Sequence, residues 1–348
     1  MRSPSFWYPP KGITPLAARL LSPLGWLYAR AAFFKQRFSA GERIGIPVIC
    51  VGNVTAGGAG KTPAALFLAE RLKAMGEHPH FLSRGYGGTL EGPLRVDPAR
   101  HNAAEVGDEP LLLANEAPCW ISADRVKGAR AAEEQGASVL IMDDGFQNPS
   151  LQKDLSFLVI DGDAGLGNGK VMPAGPLRET YEAALARAEA VIIIGAGEPG
   201  RGPAEIAERA GLAVFSAKLQ PGKAEAAALR GQKTVAFAGI GRPEKFFRTL
   251  EEIGADIQSR HGFPDHAPYS QKDLDGLSKE AARLEAVLVT TEKDAVRCRG
   301  LSLSRLMTLP VRLEVAGEDG IDELLDAALK KARTDHTYVP FAAPGDPA

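Results

Sequence analysis

The chain has 348 residues, of which 45% are hydrophobic and 24% charged, and its formal net charge is −2. Those values fit a soluble globular protein long enough for two domains, and they exclude a generally basic nucleic-acid binder. Three widely separated cysteines (Cys50, Cys119 and Cys298) form no C-x-x-C pair, so they suggest no zinc or disulfide framework and suit a reducing, cytosolic setting.

Charge is unevenly spread along the chain. Arg2, Lys11, Arg19, Arg30, Lys35 and Arg37 all precede the first acidic residue, Glu42. Interleaved with them is the apolar stretch "ITPLAARLLSPLGWLYARAAFF". Arginines interrupt it, so no run reaches the roughly 20 apolar residues of a spanning helix, and no signal-peptide cleavage pattern follows. Ser22-Pro23 predicts a helix start, with serine as cap and proline in the first turn. At about 100° per residue, Leu24, Leu27, Tyr28, Ala31, Phe34 and Phe38 then share one face, while Trp26 and Phe33 fall opposite, near Arg30 and Arg37. The helix is expected to lie on an anionic membrane surface, with arginine stems snorkelling. The alternative is a helix packed on its own domain.

Further along, short apolar runs alternate with helical patterns. "IPVICVGN", "PHFLSRG", "APCWISA", "ASVLIMDD", "LSFLVIDG" and "AEAVIIIG" read as strands, with "TPAALFLAERLKAMG" and "DRVKGARAAEEQG" as helices between them. That order predicts an α/β fold: a mainly parallel sheet flanked by helices. A second, smaller α/β unit is expected from "KTVAFAGIG" through "AVLVTT" and "LPVRLEV", joined by the connection "QPGKAEAAALRGQK". The expected divisions are 1–40 for the basic helical segment, 41–222 for the larger unit, 223–316 for the smaller, and 317–348 for a last helix and a poorly ordered, proline-rich tail.

The stretch "VGNVTAGGAGKTPAA" lies between the first strand and a helix. That is the setting of a phosphate-binding loop, although Thr55 stands where G-x-x-x-x-G-K-[ST] has its first glycine. Thr55, Ala56, Gly57, Gly58, Ala59, Gly60, Lys61 and Thr62 would cradle phosphates at a helix N-terminus, with Lys61 on the β- and γ-phosphate oxygens and the Thr62 hydroxyl on Mg²⁺. "ASVLIMDDGFQN" ends an apolar run in Asp143 and Asp144, which places two candidate metal carboxylates at a strand's C-terminal edge beside that loop. Arg84 and Arg125 follow strands and are candidate anion ligands. Asn168, Arg178 and Glu179 stand out in the turn-rich "NGKVMPAGPLRE". Asp108 and Glu109 open an apolar helix, where helix capping alone explains them, and Asp265-His266 is by itself a weak signal.

Together, "VGNVTAGGAGKTP", "LSRGYGG", "VGDEPLLLA", "ADRVKGA", "IMDDGFQN", "NGKVMPAGPLRE", "FAGIGRPEKFF", "FPDHAPYS" and "TTEKDAV" resemble, in order, the tetraacyldisaccharide 4′-kinase (lipid A 4′-kinase) family over residues 47–295. Threonine at the first loop position is usual in that family. The resemblance implies a P-loop kinase with ATP as cosubstrate and Mg²⁺ as metal. Its acceptor would be the 4′-hydroxyl of a lipid A precursor, a tetraacylated glucosamine disaccharide 1-phosphate. It implies catalysis by Asp108 with His266, aided by Lys61. Arg84, Arg125, Asn168 and Arg178 are expected on phosphate or substrate, and Thr62, Asp143, Asp144 and Glu179 at the metal. It further implies a peripheral protein at the cytoplasmic face of the inner membrane, with neither a nucleic-acid nor a protein partner evident. The competing reading from another class is a P-loop nucleotide switch or metallochaperone, which would need neither Asp108 nor Asp265-His266.

Overall fold

The computed structural model describes residues 4–10, 15–303 and 305–335. Arg2, Lys11 and the proline-rich tail from residue 336 on lie outside the described residues. Strands β1 (Val48–Gly52), β2 (Pro79–Ser83), β3 (Leu94–Arg95), β4 (Cys119–Ile121), β5 (Val139–Asp143), β6 (Leu155–Asp161), β7 (Ala190–Ile194) and β8 (Ala213–Pro221) belong to a larger sheet. A smaller, parallel sheet holds β9 (Lys233–Ala238), β10 (Asp256–Gly262), β11 (Val287–Thr291) and β12 (Leu306–Leu309), in the order β10-β9-β11-β12. Strand β13 (Val311–Val315) then returns to the larger sheet, whose order is β13-β8-β7-β6-β1-β5-β2-β4-β3. Its two edge strands, β3 and β13, pair antiparallel and its other pairs are parallel.

The central strands are apolar along their whole length because both sheet faces are covered. Successive side chains point to opposite faces. Ile49 and Val51 of β1 therefore join one core with Leu68, Phe81, Ile141 and Phe157. Val48 and Cys50 of the same strand join the other, with Leu140, Met142, Leu158 and Ile160. All three cysteines are free and buried. The C-terminal helix (Glu318–Asp335) docks on the larger sheet, where Ile321, Leu325 and Leu329 enter the first core. Asp322 accepts from Arg71 Nε at 2.9 Å.

Two readings of the chain change here. "LPVRLEV" is divided between the sheets, because Pro310 has no N–H to continue a ladder and Leu313 and Val315 are buried in the larger core. The supposed connection "QPGKAEAAALRGQK" begins with the end of β8 and contains a helix, Lys223–Leu229. Strand β8 escapes a sequence reading because it buries only Phe215 and Ala217, which alternate with exposed Ser216 and Lys218.

The N-terminal helix runs over Leu16–Phe38, with Pro15 as its N-cap and Pro23 inside it, so Ser22 does not start it. The Ser22 hydroxyl instead donates to the Ala18 carbonyl at 2.6 Å. Neither predicted apolar face packs on the protein. The inward stripe is small: Ala18 and Gly25 are buried and Ser22 and Ala29 half-buried, while Leu16 (71% exposed), Leu20, Leu24, Leu27, Phe34 and Phe38 (79%) point outward. A Cβ at Gly25 would lie 2.6 Å from the Val171 carbonyl oxygen, so only glycine allows this approach. Gly25→Ala should strengthen a free helix by about 0.5–1 kcal/mol. Here the sign is expected to reverse, with docking weakened by roughly 1–3 kcal/mol through overpacking. Hydrogen exchange of amides 16–38 checks this: faster exchange is expected, and slower exchange would show that the helix does not dock through this stripe.

Candidate active site

The phosphate-binding loop leaves β1 at a point where the strand order reverses, with β5 on one side of β1 and β6 on the other. In open α/β sheets ligands bind at that switch point, outside the C-terminal strand ends. Parallel register sets Val51 against Asp143, so the acidic end of β5 stands beside the loop.

Loop residues 53–60 are braced from within. The fully buried Asn53 amide donates to the Thr55 carbonyl at 2.8 Å and the Gly57 carbonyl at 3.3 Å. Ala56 N donates to Pro176 O at 2.8 Å, and Thr55 bridges Leu177. Among the described residues the non-glycine positions with positive φ are Asp144, His266, Glu285 and Arg305. Thr55 is not among them, so this loop needs no glycine there. It does need Gly60, which caps the helix Lys61–Ala74 at φ +90°.

Lys61, 9% exposed, donates to Asn53 Oδ1 at 3.4 Å and lies 3.7 Å from Asp144 Oδ2. The Thr62 hydroxyl donates to Asp143 Oδ2 at 3.3 Å. Asp143 Oδ1 is buried and has no hydrogen-bond partner among the described residues. Burial, with Glu109 and Asp144 adding to it, pushes the Asp143 carboxyl up to about 7 against the pull of Lys61 and Thr62. Asp144, at φ 56°, accepts both Arg178 nitrogens, at 2.8 and 3.3 Å. Burial raises its pKa, but Lys61 and Arg178 outweigh that and hold it below the usual carboxylate range.

Arg125 opens the helix Arg125–Glu134 behind its cap, Asp124. It is 4% exposed, and its Nε has no hydrogen-bond partner among the described residues. Burial, with the charge of Arg84 adding to it, pulls this guanidinium down to about 10. A buried cation with an unused donor is chemically suited to hold an anion. Arg84 itself is exposed. Two further expected ligands make structural contacts in the described residues. The Asn168 amide donates to the carbonyls of Phe6 and Ala174, and its oxygen accepts from Lys170 N, so it holds the turn together. Glu179 is paired with Arg187 and accepts from Gln147 Nε2 at 3.1 Å.

The smaller unit supplies the rest. His266 Nδ1 lies 3.1 Å from Asp108 Oδ1, although the two residues are 158 positions apart. Asp108 opens the helix Asp108–Ala114 and is 3% exposed. Its Oδ2 accepts no hydrogen bond among the described residues, with Arg297 Nε at 3.4 Å and Lys293 Nζ at 3.9 Å. Burial raises the Asp108 pKa, but the His266 bond and the charges of Lys293 and Arg297 more than offset it. Lys293 also reaches Glu109 Oε1 at 3.0 Å. A Cβ on Gly241 would stand 3.6 Å from Gly58 N, so the loop after β9 also abuts the phosphate-binding loop. Sequence reasoning assigned no role to Lys293 or Arg297. Their signal was the phrase "TTEKDAV" and the helix it starts, Glu292–Arg297, but nothing local says which carboxylate they face.

A parallel sheet with a Lys-Thr loop, an acidic strand end and a buried carboxylate–imidazole pair defines a P-loop phosphotransferase. The family model for tetraacyldisaccharide-1-P 4′-kinase matches residues 17–330. A tetraacyldisaccharide 4′-kinase of Rhodospirillum centenum is 52% identical over 97% of this chain and 99% of its own length. Another, from Parvibaculum lavamentivorans, is 51% identical over 96% and 99%. The solved LpxK of Aquifex aeolicus, in complex with ATP, superposes with a TM-score of 0.73 at 26% identity, covering 90% of this chain and all of that one. The chain belongs to the tetraacyldisaccharide 4′-kinase family. That membership makes it an ATP-dependent kinase of lipid A biosynthesis and sets aside the nucleotide switch and the metallochaperone.

Proposed function

We propose that this chain transfers the γ-phosphoryl group of ATP to the 4′-hydroxyl of a tetraacylated disaccharide 1-phosphate at a membrane surface, with Asp108 as general base. The observation that carries the reading is the Asp108–His266 contact across the two units, with the other carboxylate oxygen, Oδ2, accepting no hydrogen bond among the described residues. Asp108 Oδ2 takes the hydroxyl proton as the sugar oxygen bonds to Pγ; the bond from Pγ to the bridging oxygen breaks, and its electron pair leaves with ADP. Lys61, Arg178 and Arg125 offset charge on the phosphate oxygens. The unpartnered Asp143 Oδ1 and the adjacent Thr62 hydroxyl would fit a Mg²⁺ ion, with Asp144 as a second candidate carboxylate. When bound, that ion neutralises β- and γ-phosphate charge. Asn168 shapes the turn that faces the substrate side of the site, and Glu179, held by Arg187 and Gln147, is a further carboxylate for the metal.

Incubation with γ-labelled ATP and a disaccharide-1-phosphate lipid tests the reaction. Label is expected in the lipid, and release of inorganic phosphate alone would overturn the reading.

The outward face of the N-terminal helix holds the enzyme where its substrate lies, peripherally, at the cytoplasmic face of the inner membrane. Among the described residues no helix is long and apolar enough to cross a membrane. The ridge of Leu16, Leu20, Leu27, Phe34 and Phe38 is bordered by Arg19, Arg30 and Arg37, and Arg30 lies over the Trp26 and Phe34 rings. Sedimentation with anionic vesicles is expected to weaken as salt rises, since screening removes the electrostatic share. Binding that resists both salt and alkaline wash would point to an inserted span instead.

A further inference from the structure

We propose that Lys293 is a positioning residue for phosphoryl transfer: by donating to His266 Nε2 it holds the imidazole in the neutral tautomer whose Nδ1–H donates to Asp108. This rests on Asp108 being the base.

The argument begins with donor chemistry. Lys293 Nζ lies 3.2 Å from His266 Nε2. An ammonium group has three donors and no acceptor. Its bond to a ring nitrogen therefore requires that nitrogen to be unprotonated. The carboxylate nearest to Nε2, Asp265 Oδ1, is 3.8 Å away, beyond hydrogen-bond reach, and does not compete for a proton there. The single ring proton is left on Nδ1, which faces Asp108 Oδ1 at 3.1 Å. Asp108 Oδ1 also accepts from Glu109 N at 2.9 Å. With Oδ1 doubly engaged, Oδ2 is the oxygen left to take a proton.

Lys293 is itself held in place. Its charge is answered by Glu109 Oε1 at 3.0 Å. The short helix that carries it is capped by Thr291, and Asp294 at its third position is completely buried. Asp294 accepts from Tyr269 OH at 2.7 Å, from Gly239 N at 2.9 Å and from Thr291 Oγ1 at 2.6 Å. Tyr269 lies three residues beyond His266, and Gly239 begins the loop that reaches the phosphate-binding loop. One buried carboxylate thus sets Lys293, the His266 turn and that loop in a common frame. Outer groups of this kind fix the orientation and tautomer of the imidazole they touch.

Without Lys293, Nε2 is free to bind the proton and turn toward Asp265, and Asp108 loses its donor. The test reads the tautomer and the rate together. In ¹⁵N-labelled full-length protein, His266 is assigned by comparison with His266→Gln. The expected wild-type pattern is a protonated Nδ1 and an unprotonated Nε2. A protonated Nε2 in the wild type would overturn the proposal before any variant is made. Lys293→Met is expected to lose that single tautomer and to lower kcat about 10- to 100-fold, with KM for ATP within about two-fold. Lys293→Arg, also a donor without an acceptor, should restore the tautomer and part of kcat. Unchanged kcat and tautomer in Lys293→Met, alongside an inactive Asp108→Ala, would sink the role of Lys293 alone. An active Asp108→Ala would sink the base assignment instead.

Discussion

Lys61→Ala is expected to lower kcat by at least about 10²–10³-fold, the scale for removing one preorganised charge from a transferring group. The side chain is 9% exposed at the start of its helix, and its partners there are Asn53 Oδ1 and Asp144 Oδ2. Both of these partners are polar, and Asp144 keeps both Arg178 bonds in its absence. The variant should therefore fold, with Asp143 and Asp144 losing one stabilising charge. Steady-state kinetics with thermal unfolding on the same preparation checks this. A kcat near that of the wild type would remove Lys61 from phosphoryl transfer and with it the assignment of the loop.

Asp108→Ala is expected to lose about 10²–10⁴-fold in rate, the range for a positioned general base, with ATP still bound. His266→Ala should lose less, because on the proposed mechanism the imidazole tunes or orients the carboxylate and need not take the proton itself. In the double variant the second substitution should cost little more, since residues acting as a unit are not additive. The measurement is kcat/KM for both singles and the double, with ATP affinity measured separately. Free-energy losses that simply add would show that the two side chains act independently. A pH consequence has a defined sign. The folded Asp108 pKa lies below its unfolded value despite burial, because His266, Lys293 and Arg297 outweigh desolvation. Its ionised form thus contributes stability that is fully present above about pH 3.9 and is lost as pH falls through the lower folded value.

The parts of the site legible in the sequence are those whose chemistry is local. A glycine-rich turn between a buried strand and a helix needs no distant partner to be read, and Gly57, Gly60, Lys61 and Thr62 stand in that turn. The same holds for β5, where an apolar run ends in acid. Local spacing does not tell a ligand from a brace. Asn168 and Glu179 are expected as ligands, and in the fold they also brace their surroundings, Asn168 on the Phe6 and Ala174 carbonyls and Glu179 on Arg187 and Gln147. Conversely Asn53, which bonds both the loop and Lys61, gave no signal beyond its position.

The N-terminal helix shows that a bulky apolar pattern does not reveal which stripe docks on the protein. Bulky apolar residues define its faces in any periodicity count, yet it docks through Ala18, Ser22, Gly25 and Ala29. Backbone approach, limited by Cβ volume, chooses that stripe, and the bulky residues are left outside. Pro23 does not stop the helix, since it removes one backbone donor while the docked stripe and the remaining bonds persist.

The sequence by itself determined the two α/β units, the phosphate-binding loop, the acidic strand end and the apolar outer ridge of the first helix, because each depends on periodicity or spacing within about 20 residues. Only the tertiary structure decided that β13 returns to the larger sheet, that Asp108 meets His266, and that Lys293 and Arg297 face the Asp108 carboxylate. Those contacts join segments 158 or more positions apart, or complete the edge of a sheet. They follow from how two covered sheets and their loops pack, which no local pattern of residues encodes.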